Sequence, residues 1–247
     1  MVASIELCDV TLGYERHPAV HHLSGAFKPG SLTAVVGPNG AGKTTLLKGV
    51  AGLLRPLDGR IALHGFDRWD IAYLPQQANI DSDFPISVFD AVMMGHWRRV
   101  GALSAITPAL REVAAEALSS VGLDGFTDRL FGSLSAGQRQ KALFARTMIS
   151  DSPVILLDEP FTAIDSKTVD DLLAIVLRWH AESRMVVAVL HDFDQVRKHF
   201  PETLLLAREA IAWGRTADVL TSINLLKASA VSEAWDQQAP ICDRINA

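Results

Sequence analysis

Two kinds of hydrophobic spacing divide the chain into regions. Residues 4–10 alternate as a strand does, with Ile5, Leu7 and Val10 on one side. Tyr14 follows at a glycine-containing turn, and residues 19–27 read as a second strand. Pro29-Gly30 then turns the chain into a β-branched run, Thr33 to Val36. Apolar residues next resume at helical spacing as Leu46, Leu47 and Val50. Residues 55–59, RPLDG, form a turn signal ahead of a short strand at 60–63, and residues 71–74 form a strand that Pro75 stops. From 86 to 149 the spacing is helical, with no convincing strand. Thr107 and Pro108 suit the N-cap and first position of a helix holding Leu110, Val113, Ala114, Ala117, Leu118 and Val121. Ser135 suits the cap of another that carries Leu143, Phe144, Met148 and Ile149. Strand patterns return at 154–157, 186–190 and 204–207, with a helix over 166–181 that Ser166 can cap. The expectation is an α/β core with a helical block inserted into it.

Composition narrows the function more than the fold. A length of 247 residues suits one large domain or two closely joined lobes. The chain is 49% hydrophobic and 21% charged, ordinary for a soluble globular protein. A net charge of −5 with no cluster of Lys and Arg speaks against nucleic acid as a partner. Cys8 and Cys242 lie near opposite ends without disulfide or metal spacing, which fits a reducing compartment. The opening MVASIELCDV carries an early acid and no basic flank, so it does not read as a signal peptide. The most apolar regions, 172–179 and 185–190, are interrupted by Arg178, His180, Glu182 and Arg184. Work at a membrane would therefore need a partner. His17, His21 and His22 read as polar surface, because no cysteine or acid stands at ligand spacing and His21 and His22 point to opposite faces of a strand.

The chemistry is concentrated where the β-branched run breaks. Gly37-Pro38-Asn39-Gly40-Ala41-Gly42-Lys43-Thr44 has the G-x-x-x-x-G-K-[ST] spacing of a P-loop, between a strand and a helix. Glycine at 37, 40 and 42 permits backbone angles closed to other residues, so successive N–H groups can converge on one concavity. The helix start adds unpaired N–H groups and a positive dipole end, which favour phosphate. Lys43 suits the terminal phosphates of a nucleoside triphosphate, and the Thr44 hydroxyl suits Mg²⁺. Further on, residues 154–159, VILLDE, form an apolar strand ending in two carboxylates. Asp158 there suits Mg²⁺ binding through its water shell, and Glu159 suits orienting or deprotonating an attacking water. Leu134-Ser135-Ala136-Gly137-Gln138 begins a helix with a Ser cap and small residues, a second anion cradle. One triphosphate rarely needs two such cradles from one chain, so the second points to a nucleotide held by another copy.

These residues resemble the nucleotide-binding subunit of ATP-binding-cassette (ABC) transporters, over nearly the whole chain. GPNGAGKT at 37–44, with Thr45 adjoining it, is similar to the family's Walker A motif. LSAGQ at 134–138 is similar to its signature and VILLDEP at 154–160 to its Walker B motif. The resemblance assigns Tyr14 to stacking on adenine and Gln76 to the glutamine loop that senses Mg²⁺ and faces the membrane subunit. It assigns Thr162-Ala163-Ile164-Asp165 to the D-loop and His191 to the switch histidine at the γ-phosphate. Ala136 stands where the family usually has glycine, Thr162 where it has serine and Leu190 where threonine is common; alanine resists positive φ.

The implied fold is a P-loop NTPase (RecA-like) α/β core with an antiparallel β subdomain and an inserted α-helical subdomain. The whole chain, 1–247, would be a single ABC ATPase domain: 1–85 and 150–221 as core, 86–149 as the helical subdomain and 222–247 as a tail that packs as helix. The implied cofactors are ATP and Mg²⁺. The implied assembly is a homodimer of ATPase subunits on separate integral-membrane permease subunits, served indirectly by an extracytoplasmic solute-binding protein, with no nucleic acid. That places the chain on the cytoplasmic face of the inner membrane, peripheral through the permease. Residues 73–85 and 86–95 are similar to the matching stretch of bacterial importers for zinc, manganese or iron(II), which share a D-x-D-F-P block, here Asp81 to Pro85. Zinc is the first expectation, manganese or iron the next. In that family this surface receives the permease's coupling helix; Phe84, Phe89, Met93 and Met94 suit such a groove, although Phe89 and Met93 read first as core. A soluble ABC protein acting on ribosomes or DNA, a P-loop kinase and an exporter remain as other readings.

Overall fold

Alternation near the N-terminus produces an antiparallel sheet. Its strands are β1 (Ser4–Tyr14), β2 (His17–Phe27) and β4 (Asp58–His64), in the order β2-β1-β4. The computed structural model describes residues 3–15, 17–76, 84–97, 101, 106–162 and 164–237. A second sheet contains β3 (Leu32–Val36), β5 (Ile71–Leu74), β6 (Val154–Asp158), β7 (Met185–Val189), β8 (Glu202–Ala207) and β9 (Glu209–Arg215). Its order is β5-β6-β7-β3-β8-β9, parallel throughout except where β9 runs antiparallel to β8.

The central strands β3, β6 and β7 are buried at every position, which is why they read as unbroken apolar runs. Their side chains feed two cores in alternation. Val154 and Leu156 pack with Leu46, Leu47, Ile5 and Leu7, between the large sheet and the antiparallel one. Ile155 and Leu157 pack on the other face with Leu172, Phe144 and Trp179. Helix α1 (Lys43–Val50) belongs to the first core. Helices α2 (Val88–Met93), α3 (Pro108–Ser120) and α4 (Ala136–Ser150) join the second. So does α5 (Ser166–Ala181), through Trp179, whose ring stacks on Phe144 at 5.7 Å. Met93 is buried and Phe89 packs against this core, as their spacing suggested, while Phe84 and Met94 are exposed. Residues Asp81 and Asp83 of the D-x-D-F-P block lie outside the described residues.

The helical block agrees with the sequence expectation, and several other elements differ from it. Residues 86–149 hold no strand among those described, apart from one isolated bridge, Ser87 to Leu130. Strand β9 was not anticipated, because its positions are only half-buried and give a weak alternation; Trp213 anchors it against Phe27 of β2 at 4.8 Å between ring centroids. Helix α6 (Phe193–His199) was also missed, and Asp192 caps it by accepting from the backbone N–H groups of Asp194 and Gln195. Helix α5 is capped by Asp165 rather than Ser166: Asp165 has extended backbone angles and accepts from Thr168 N–H, which places Ser166 already in the first turn. After α7 (Thr216–Val219), helix α8 spans Ser222–Gln237. No helix among the described residues is long and apolar enough to cross a membrane.

The histidines also need two corrections, the first being that His21 is buried rather than at the surface. His22 does have an acidic partner, Asp9, whose Oδ1 lies 2.9 Å from His22 Nδ1. Both residues have positive φ at irregularities of the β1–β2 pairing, which brings together side chains 13 positions apart. No group of three or more possible metal ligands occurs among the described residues.

Candidate active site

Parallel strands carry their functional loops at the carboxyl edge. β3, β6 and β7 are hydrogen-bonded in register, so the ends of three adjacent strands supply the P-loop, the two carboxylates and His191 to one place. The P-loop leaves β3 at Gly37 with φ of 151°, passes Gly40 at 76° and starts α1 from Gly42 at 89°. Gly37 and Gly42 are forced by space as well as by angle: a Cβ would strike the Leu206 carbonyl at the first and the Ala19 carbonyl at the second. Residues Ala19, Asn39, Gly40, Ala41, Gly42, Lys43, Thr44, Thr45 and Glu159 line a cavity of about 260 Å³. Pro38 lines the adjoining cleft, with His191.

Lys43 is 6% exposed. Its Nζ donates to the Gly37 and Pro38 carbonyls, both at 2.9 Å. Burial pulls its pKa down, and the nearby carboxylates of Glu159 and Asp158 partly restore it. Thr44 Oγ1 donates to Asp158 Oδ1 at 3.0 Å, and the Tyr73 hydroxyl donates to Asp158 Oδ2 at 3.0 Å. Asp158 is 1% exposed, and burial raises its pKa against the opposing effect of those two hydrogen bonds. Glu159 has a φ of 49°. Its Oε1 lies 2.6 Å from His191 Nε2, and its Oε2 accepts from Gln76 Nε2 at 2.6 Å and Thr162 Oγ1 at 3.2 Å. Burial alone would raise the Glu159 pKa, but the bond and charge of His191, helped by Thr162 and Lys43, outweigh it and leave the group ionised at lower pH than usual.

Glu159, His191, Gln76, Asp158, Thr44 and Lys43 are thus brought together. Tyr14 is 48% exposed at the end of β1, with Lys48 Nζ 6.0 Å from its ring centroid. Residues Ser135, Ala136, Gly137 and Gln138 are not among those lining the P-loop cavity. They form the first turn of α4, where Gln138 N–H donates to Ser135 Oγ and Ser135 N–H to Gln138 Oε1. Ala136 is not among the positive-φ residues, so the exchange of glycine for alanine is accommodated without strain. Ala163 lies outside the described residues. Sequence spacing missed two contacts. Tyr73 registered only as a strand residue, and Gln140 Nε2, which donates to the Pro160 carbonyl at 2.9 Å, only as part of a helix.

A Mg²⁺ ion fits this donor set. A hydroxyl and a buried carboxylate converge beside the phosphate cradle, and both are the hard oxygen ligands that ion prefers.

Comparison with known proteins gives a consistent result. The family described as "ABC transporter" matches residues 20–162. The chain is 37% identical over 213 residues to the manganese transport system ATP-binding protein MntA of Synechocystis, covering 84% of this chain and 82% of that protein. It is 34% identical over 224 residues to the zinc transport system ATP-binding protein TroB of Treponema pallidum, covering 88% and 84%. Among solved structures, an ABC transporter in an inward-facing conformation superposes with a TM-score of 0.81 at 32% identity, covering 92% of this chain and 89% of that one.

Proposed function

The chain belongs to the ABC transporter family, and from that premise we propose that it is the ATP-hydrolysing motor subunit of an importer for a divalent metal ion, manganese or zinc. The metal is supported by the names of the relatives, which are ATP-binding proteins of manganese and zinc transport systems. The motor is supported chiefly by one observation: Thr44 and Asp158 are joined at 3.0 Å beside a cavity that Lys43 and Glu159 also line.

The residues divide the work by chemistry. The P-loop N–H groups and Lys43 bind the phosphates, Lys43 exchanging its bonds to Gly37 and Pro38 for phosphate oxygens. Thr44 and Asp158 would hold Mg²⁺, with Gln76 near it, and the ion would neutralise charge on the phosphates. Glu159, kept ionised, orients a water and accepts its proton, with His191 beside it at the γ-phosphate. Tyr14 offers an exposed ring for the base. Ser135, Ala136, Gly137 and Gln138 do not reach their own chain's cradle, which supports their action on ATP held by a second copy. A homodimer docked on separate permease subunits, at the cytoplasmic face of the membrane and with a solute-binding protein outside, completes the assembly. ATP affinity for the closed dimer is the driving bias.

The test is Mg²⁺-dependent phosphate release by the purified chain with its permease in vesicles, measured alongside uptake of radioactive manganese and zinc. Phosphate release without uptake of either metal would overturn the substrate; no release at all would overturn the motor.

A further inference from the structure

Strand β5 and the residues just past its end contact both carboxylates of the site, and only one of those contacts has a role so far. In the β5–β6 register Tyr73 lies opposite Leu156. Side chains alternate along a strand, so Asp158 shares the face of Leu156, and Tyr73 meets it diagonally. The phenol donates to Oδ2 at 3.0 Å while Thr44 donates to Oδ1 at 3.0 Å. Both carboxylate oxygens are therefore committed, and rotation of this buried group would leave a hydroxyl donor unpaired. Past Pro75 the same strand delivers Gln76, whose amide donates to Glu159 Oε2 at 2.6 Å.

We propose that Tyr73 is a positioning residue for the Mg²⁺-binding carboxylate: by holding Asp158 Oδ2 it aims Oδ1 at Thr44 and ties the strand that leads to Gln76 to the metal affinity of the pocket. The inference rests on the nucleotide-site reading above. Groups that hydrogen-bond a metal-binding carboxylate typically change metal affinity by about 10–100-fold when removed.

The test uses Tyr73→Phe in the full chain. ATP binding is measured by calorimetry in EDTA and again as Mg²⁺ is titrated, with the Mn²⁺ electron paramagnetic resonance spectrum of the bound complex recorded alongside. The expected result is an unchanged affinity in EDTA, a Mg²⁺ midpoint raised roughly tenfold, and an altered Mn²⁺ spectrum. In an Asp158→Asn background the same substitution is expected to add nothing, because its effect passes through the carboxylate. A melting curve establishes folding, and Tyr73→Met serves as a second variant without the hydroxyl should Tyr73→Phe not fold. An unchanged Mg²⁺ midpoint overturns the proposal, as does equal weakening with and without metal, which marks a structural role. Wild-type protein that binds ATP equally with and without Mg²⁺ overturns the nucleotide-site reading too; normal metal dependence in wild type with an unaltered Tyr73→Phe variant overturns the role of Tyr73 alone.

Discussion

Glu159 and His191 meet with Oε1 and Nε2 2.6 Å apart. The contact follows from strand pairing: Asp158 lies opposite Val189 in the parallel β6–β7 ladder, so the residues just past the two strand ends emerge side by side. Gln76 and Thr162 hold the other oxygen of Glu159. Both oxygens of its carboxylate are therefore held by protein groups.

Glu159→Gln is expected to retain ATP binding, lower turnover by roughly 10²–10⁴-fold and yield an ATP-dependent dimer stable enough to isolate. Phosphate release and size-exclusion chromatography measure both. Wild-type turnover in this variant would remove Glu159 from the proton-accepting role.

Lys43→Ala is expected to weaken ATP binding by about 1.5–3 kcal/mol, the value of a hydrogen bond to a charged group. The two carbonyls that accept from Lys43 lie in the P-loop itself, so its shape is expected to loosen as well. Calorimetry that returns wild-type affinity would count against the contact.

Asp158→Asn is expected to stabilise the nucleotide-free fold while removing Mg²⁺-dependent binding. Burial raises the Asp158 pKa, so the folded chain holds that proton more tightly than the unfolded one. Such a group contributes stability while protonated and loses it as pH rises through the folded pKa. At neutral pH the ionised carboxylate therefore works against the fold, and the amide variant should melt higher. The gap should close as pH falls through the carboxylate range. A lower melting temperature at neutral pH would reverse this account.

Composite pockets predict complementation. Lys43→Ala and Gly137→Asp chains should each be inactive alone, whereas a mixture should recover turnover, since a mixed dimer retains one pocket with an intact P-loop and an intact first turn of α4. A mixture as inactive as its components would mean that each chain completes its own site.

Much of this site was legible along the chain because its chemistry is local. The P-loop demands glycine where φ is positive and a Cβ has no room, as at Gly37 and Gly42, and such demands leave a fixed spacing. The buried run 154–158 announced a central strand because both of its faces are covered. Strand β9 and helix α6 left no such mark: one is half-buried, and the other is a seven-residue helix with a single buried side chain, Val196. The cap of α5 moved to Asp165 because backbone angles, which residue type only biases, decide where a helix begins.

By itself the sequence determined the phosphate cradle, the identity of the two carboxylates and the existence of a helical insert. Each rests on glycine geometry, burial or periodicity within a few neighbouring residues. Tertiary structure alone decided that Thr44 and Tyr73 share the oxygens of Asp158, that Gln76, Thr162 and His191 converge on Glu159, and that Asp9 reaches His22. Those contacts join residues from different strands and loops, and their distances are set by register and packing, which no local pattern encodes.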